Sequence, residues 1–176
     1  MGASRSARHV ALKLDIIKAY DRVEWIFLEM VLLRLGFHCV FVKLILMCVN
    51  SVFYSIMLEG EPFGLIRPER GLRQGDPSRS ICFCFVQRPL VVWYKKRRVR
   101  EASKGWRYAV APRVSHLLFA NDTLLFYQAT LKAMDCIKGI LTKFERASGL
   151  KINLQKSAVV FSRNTDQHLK EALASD

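Results

Sequence analysis

Apolar and polar positions switch period several times along the chain, and each switch predicts an element. Val10 to Leu14 is a short apolar run, interrupted by Lys13 and closed by Asp15, and reads as a strand. Asp21-Arg22-Val23-Glu24 has the form of a capping box, and Val23, Ile26, Phe27, Met30 and Val31 behind it follow helical spacing. Gly36 is placed to end that helix. A second helix from Val40 to Val49 is apolar nearly all round, which predicts burial. Phe53 to Leu58 and Phe63 to Ile66 read as strands joined by a turn at Glu59-Gly60-Glu61-Pro62. Glycines and a proline punctuate Arg70 to Ser80, predicting a loop, and a helix follows that Pro89 kinks or interrupts.

The stretch "HLLFANDTLLFYQ" is written as a β-hairpin. Leu117-Leu118-Phe119 and Leu124-Leu125-Phe126 flank the polar bend Ala120-Asn121-Asp122-Thr123. A helix from Thr130 to Ser148 has an apolar stripe of Leu131, Met134, Ile137, Leu141 and Phe144, with Gly149 as its stop. Ser157 to Phe161 is a last strand. Local hairpins mixed with helices predict an α+β class, a helix-backed antiparallel sheet.

With 176 residues and 51% hydrophobic content, the chain suits one domain with an ample core. Its 28 Lys and Arg against 15 Asp and Glu give a net charge of +13, which points to a polyanionic partner. The basic residues cluster: from Arg88 to Arg113 there are nine, with Trp93, Tyr94, Trp106 and Tyr108 interleaved and Glu101 the one acid. Lys95, Lys96, Arg97, Arg98, Arg100, Lys104 and Arg107 are therefore candidate nucleic-acid contacts, with a solvated basic connection as the alternative. The five cysteines lack zinc-site spacing, and an odd number of them argues for reduced thiols inside a cell, nucleus or cytoplasm alike. The tract Ile81 to Tyr94 is broken by Gln87-Arg88-Pro89 and is too short to span a bilayer, so no membrane partner is expected. Oligomeric state leaves no trace in the sequence.

Two acids carry the chemistry. Asp15 closes the first strand and Asp122 stands in the hairpin bend; each alone suits a cap or a turn. If the two strands are neighbours, two like charges meet at one sheet edge, an arrangement that calls for a cation between them. Paired Mg²⁺ ions held this way drive in-line attack on phosphoryl groups.

The segments "ALKLDIIKAYDRVEW", "RGLRQGDP", "SHLLFANDTLLF" and "ASGLKINLQKS" resemble, in order and spacing, the reverse transcriptase of plant LINE-type (non-LTR) retrotransposons. The likeness runs from Arg8 to Asn164, leaving 1–7 and 165–176 as flanking tails. It implies a polymerase palm with part of the fingers, copying an RNA template onto a DNA primer from dNTPs with Mg²⁺. Asp15 then matches the first catalytic aspartate, and Tyr20 the bulky residue that excludes a ribonucleotide's 2′-hydroxyl. Gln74 and Gly75 match the loop beside the incoming nucleotide, and Lys156 the lysine that protonates pyrophosphate. The resemblance makes Asp15 and Asp122 the metal-binding acids.

The sequence departs from the family where the hairpin reads "FAND": Asn121 stands where the family has a metal-binding aspartate. An amide oxygen brings no charge, so both metal affinity and transition-state stabilisation should fall. Ser78-Arg79-Ser80 replaces the family's Leu-Ser-Pro, and Pro89 falls within its apolar helix. The upstream fingers, thumb and endonuclease expected of such elements have no counterpart in these motifs, so a truncated palm is expected. The sequence thus predicts a catalytically silent polymerase fragment. A non-catalytic nucleic-acid-binding module and an unstable remnant are the alternatives.

Overall fold

Period-two burial builds the central sheet. The computed structural model describes residues 8–100, 114–119 and 121–174. In β1 (His9–Leu14), Val10, Leu12 and Leu14 are buried, and in β5 (Asp122–Gln128), Thr123, Leu125 and Tyr127 are buried. The alternation sends one side-chain set into the core and leaves the other on the open face. With β4 (His116–Phe119) and β6 (Ala158–Phe161), these strands form an antiparallel sheet ordered β4-β5-β1-β6. Leu14 pairs with Thr123, Lys13 with Leu124, and Phe119 with Asp122.

The chain divides into two units. The first comprises Met1–Ile17, Leu90–Glu145 and Ile152–Asp176, and holds this sheet. Its helix α4 (Leu131–Ser148) buries Met134, Ile137, Ile140 and Phe144 at the spacing of one helix face. The Tyr127 hydroxyl reaches the Met134 sulfur at 3.5 Å, so this face backs the sheet. The Tyr94 hydroxyl donates to the Phe126 carbonyl at 2.6 Å, bringing α3 (Arg79–Arg100) against β5. Burial, and secondarily the Tyr94 charge, push the Tyr127 phenol up to about 12. The neutral form is favoured in the fold, so this stability is complete below pH 10 and is lost as pH rises through about 12. Alkaline melts should therefore fall more steeply between these values than those of Tyr127→Phe, by about 1.4 kcal/mol per pH unit.

The second unit comprises Lys18–Pro89 and Arg146–Lys151. Here α1 (Trp25–Arg34) buries Phe27, Leu28, Val31 and Leu32, and α2 (Cys39–Asn50) follows. The Asp21–Glu24 capping box does not form: Glu24 is the cap residue and makes no side-chain capping bond. Gly36 ends the first helix at φ +88°, and the Phe37 N–H donates back to the Leu32 carbonyl at 3.2 Å.

Strands β2 (Tyr54–Leu58) and β3 (Glu61–Ile66) form a hairpin whose turn is Glu59-Gly60 alone, both at positive φ. Pro62 therefore lies inside β3, not in the turn. Gly149, at φ +74°, follows α4 where a side chain has no room: a Cβ would sit 2.8 Å from the Arg22 carbonyl oxygen. Gly36 has the same backbone need but open space around it. Gly149→Ala should cost about 3 kcal/mol in chemical denaturation, and Gly36→Ala nearer about 1 kcal/mol.

Three further expectations are corrected. Helix α2 is not buried: only Val42 and Val49 are, while Val40, Phe41, Leu44 and Met47 are exposed. Pro89 does not interrupt α3, which continues from Arg79 to Arg100 around it. The segment after Asn164 is not all tail, since it carries α5 (Gln167–Ala174). No helix among the described residues is long and apolar enough to cross a membrane.

Candidate active site

Asp15 follows directly on β1, and the antiparallel register carries it alongside the β4–β5 connection. The side chain that meets it there is Asn121. The Asn121 amide donates from Nδ2 to the Asp15 Oδ1 at 3.3 Å. The second oxygen of Asp15, Oδ2, accepts from the Asn153 Nδ2 at 3.1 Å. Both carboxylate oxygens thus face side-chain amides, each supplying a partial positive charge.

Asp122 does not stand at the hairpin tip. It is the first residue of β5 and pairs with Phe119, so the connection is residues 120–121 alone. Its carboxylate lies 3.5 Å from the Lys13 ammonium, both partly exposed, a loose pair of small energetic weight. A strand residue's direction is set by the pleat, and the pleat gives Asp122 the face it shares with Lys13.

The turn after Ile152, which bridges to Ile16, is built on Asp15. The Asn153 N–H donates to the Asp15 carbonyl at 2.9 Å, and the Asp15 N–H to the Ser157 Oγ at 3.3 Å. The Lys156 N–H closes the turn on the Asn153 carbonyl at 3.2 Å, with its side chain exposed to solvent. Asn153 and Ser157 lie in a motif the sequence displays, yet nothing local marks them: their partner is some 140 positions away.

Tyr20, Gln74 and Gly75 belong to the second unit. Tyr20 packs on Phe83 with ring centroids 4.7 Å apart, and the Arg79 guanidinium lies 3.7 Å over its ring. The Arg79 Nε is buried without a hydrogen-bond partner, so the cation–π contact offsets part of a desolvation cost. Gln74 and Gly75 are exposed, with Gly75 at φ +89°. Beyond them Asp76 accepts from the Ser78 N–H at 2.8 Å and its hydroxyl at 2.7 Å, fixing the entry to α3.

Of the basic candidates, Lys95, Lys96 and Arg97 are exposed on α3, and Arg98 and Arg100 fall in the same helix. Lys104 and Arg107 lie outside the described residues, as do Trp106 and Tyr108. Two aromatics expected to stack on bases are otherwise engaged: Tyr94 is in the core, and Trp93 lies 4.6 Å under the Lys143 ammonium.

Residues 3–170 match the family model described as reverse transcriptase (RNA-dependent DNA polymerase). The chain belongs to the reverse transcriptase family. It is 24% identical over 149 residues to the Pol polyprotein of the type-1 retrotransposable element R2 of Popillia japonica, covering 85% of this chain and 24% of that protein. An uncharacterised mitochondrial protein of Arabidopsis thaliana is 38% identical over 73 residues, 40% of this chain and 60% of that one. The chain therefore spans less than two thirds of either relative's length. Among solved structures, telomerase from Candida tropicalis superposes with a TM-score of 0.66 at 14% identity, covering 92% of this chain and 32% of that one. Telomerase from Candida albicans gives 0.61 at 17%, covering 90% and 27%. The fold is that of reverse transcriptases, and the relationship is to a non-LTR retrotransposon.

Reverse transcriptases work with divalent metal ions. The donor set here does not fit a pair of them. Its one central carboxylate is engaged by amide N–H groups on both oxygens, and the second is turned to Lys13. Among the described residues, no three His, Cys, Asp or Glu side chains gather where one ion could be held.

Proposed function

We propose that the chain is the RNA-directed DNA polymerase domain of a plant non-LTR retrotransposon, and that the change at Asn121 has silenced it. In this reading Asp15 and the Asn121-Asp122 pair are the ancestral Mg²⁺ site, with an RNA template, a DNA primer and dNTPs as substrates. Tyr20, Gln74 and Gly75 border the incoming nucleotide, and Lys156 is the proton donor. Its work lies inside the cell. The observation that carries the silencing is the amide–carboxylate hydrogen bond between Asn121 and Asp15. A site that binds Mg²⁺ calls for negative charge at this point, and the asparagine brings a neutral amide whose nitrogen is turned to Asp15.

Purified protein given a primed RNA template, dNTPs and Mg²⁺ should yield no extension. Robust synthesis that disappears in Asp15→Ala would contradict the proposal. A non-catalytic nucleic-acid-binding role is favoured separately by the net charge of +13 and the exposed Lys95, Lys96 and Arg97. RNA binding should then weaken steeply between about 50 and 200 mM salt, and salt-insensitive binding would remove that reading.

A further inference from the structure

We infer that Asn153 is a positioning residue, holding the Asp15 carboxylate in a fixed plane through its side-chain amide. The inference rests on the reading of Asp15 as the acid of the site. It deepens that reading by naming the residue that aims the acid.

Three hydrogen bonds tie the 153–157 turn to Asp15. The Asn153 N–H holds the Asp15 carbonyl at 2.9 Å, the Ser157 Oγ receives its N–H at 3.3 Å, and the Asn153 Nδ2 reaches Oδ2 at 3.1 Å. The turn closes on itself, because the Ser157 hydroxyl and N–H both donate to the Asn153 carbonyl, at 2.7 and 2.9 Å. The backbone contacts fix where Asp15 starts, and the side-chain contact fixes where its carboxylate points. A carboxylate otherwise rotates broadly about its last torsion. Donors on both oxygens remove that freedom.

The residue type follows from these demands. Serine is too short to span from the turn to Oδ2 and glutamine is a methylene too long. Aspartate has the right length but puts an acceptor against an acceptor. A residue needed only for the turn would tolerate aspartate, since both Asn and Asp make such turns. A residue that holds the carboxylate would not.

The test therefore uses Asn153→Asp, which leaves all the backbone bonds in place. In EDTA it should melt about 5 °C or more below the unsubstituted protein. Mn²⁺ should recover the loss and, by electron paramagnetic resonance, bind about tenfold or more tighter than to the unsubstituted protein, because a second carboxylate now faces Asp15. The exchanged pair, Asp15→Asn with Asn153→Asp, restores one donor and one acceptor and should melt in EDTA like the unsubstituted protein. Unchanged melting and Mn²⁺ affinity in Asn153→Asp would overturn the inference. So would an exchanged pair that stays as destabilised as the single variant, and this decides the matter if the single variant does not fold. None of these readouts needs polymerisation, so continued silence of a repaired enzyme would count against the functional reading and not against this one.

Discussion

Asn121→Asp protein, supplied with a primed RNA template, dNTPs and Mg²⁺, is expected to extend the primer where the unsubstituted protein does not. Between the two proteins one atom pair changes: an amide nitrogen that donates to Asp15 at 3.3 Å becomes a carboxylate oxygen that accepts. Two unit charges about 4 Å apart interact with about 4 kcal/mol near a protein surface, and a divalent ion feels each carboxylate twice over. Losing even an outer partner of a metal ligand costs about 10–100-fold, so regaining the ligand itself should raise extension by at least that factor. Extension should scale with Mg²⁺ and vanish on further substitution of Asp15 by Ala. If the repaired protein stays silent, the charge at residue 121 is not what limits it.

The same substitution should make the fold dependent on divalent ions. In EDTA, Asn121→Asp loses a hydrogen bond to a charged acceptor, worth about 1.5–3 kcal/mol, and sets two acids against each other. Both groups are partly exposed, so solvent screening keeps the total near about 2 kcal/mol. For a chain of this length that is about 4–8 °C in melting temperature. A divalent ion at about 100 times its dissociation constant returns about 2.7 kcal/mol by linkage, which covers the loss. The unsubstituted protein should melt at one temperature with and without the ion. Equal melting of the two proteins in EDTA would show that Asn121 contributes nothing by facing Asp15.

Local pattern was enough for the central strands and for two helix ends. Val10, Leu12 and Leu14 alternate as a half-buried strand must, and Gly36 and Gly149 end helices through the positive φ that their type permits. The opposition of Asp15 to the β4–β5 connection also followed once the two strands were taken as neighbours. The resemblance sets the ligand position at residue 121, and Asn121 is the side chain that reaches Asp15. The Leu14–Thr123 pairing carried one residue further sets Asp15 opposite Asp122, which begins β5 on the face of Lys13, while Asn121 beside it is the side chain that donates to Asp15.

Helix α2 shows another limit. Apolarity all round predicts burial, but Phe41, Leu44 and Met47 are exposed, because burial depends on a neighbour that composition does not specify. The same holds for Asn153 and Ser157, whose roles come from a contact 138 and 142 positions away. Pro89, expected to kink or interrupt its helix, does not interrupt it. A proline removes one hydrogen bond, and α3 runs on through it with Val86, Leu90 and Val91 buried.

The central claim is that an amide at residue 121 occupies Asp15 in place of a cation, and direct titration of Mn²⁺ into the unsubstituted and Asn121→Asp proteins tests it most directly. The account predicts weak, nonspecific binding to the first, and to the second a site at least about tenfold tighter that Asp15→Ala abolishes. Equally tight binding to both proteins, lost in each on removing Asp15, would contradict it.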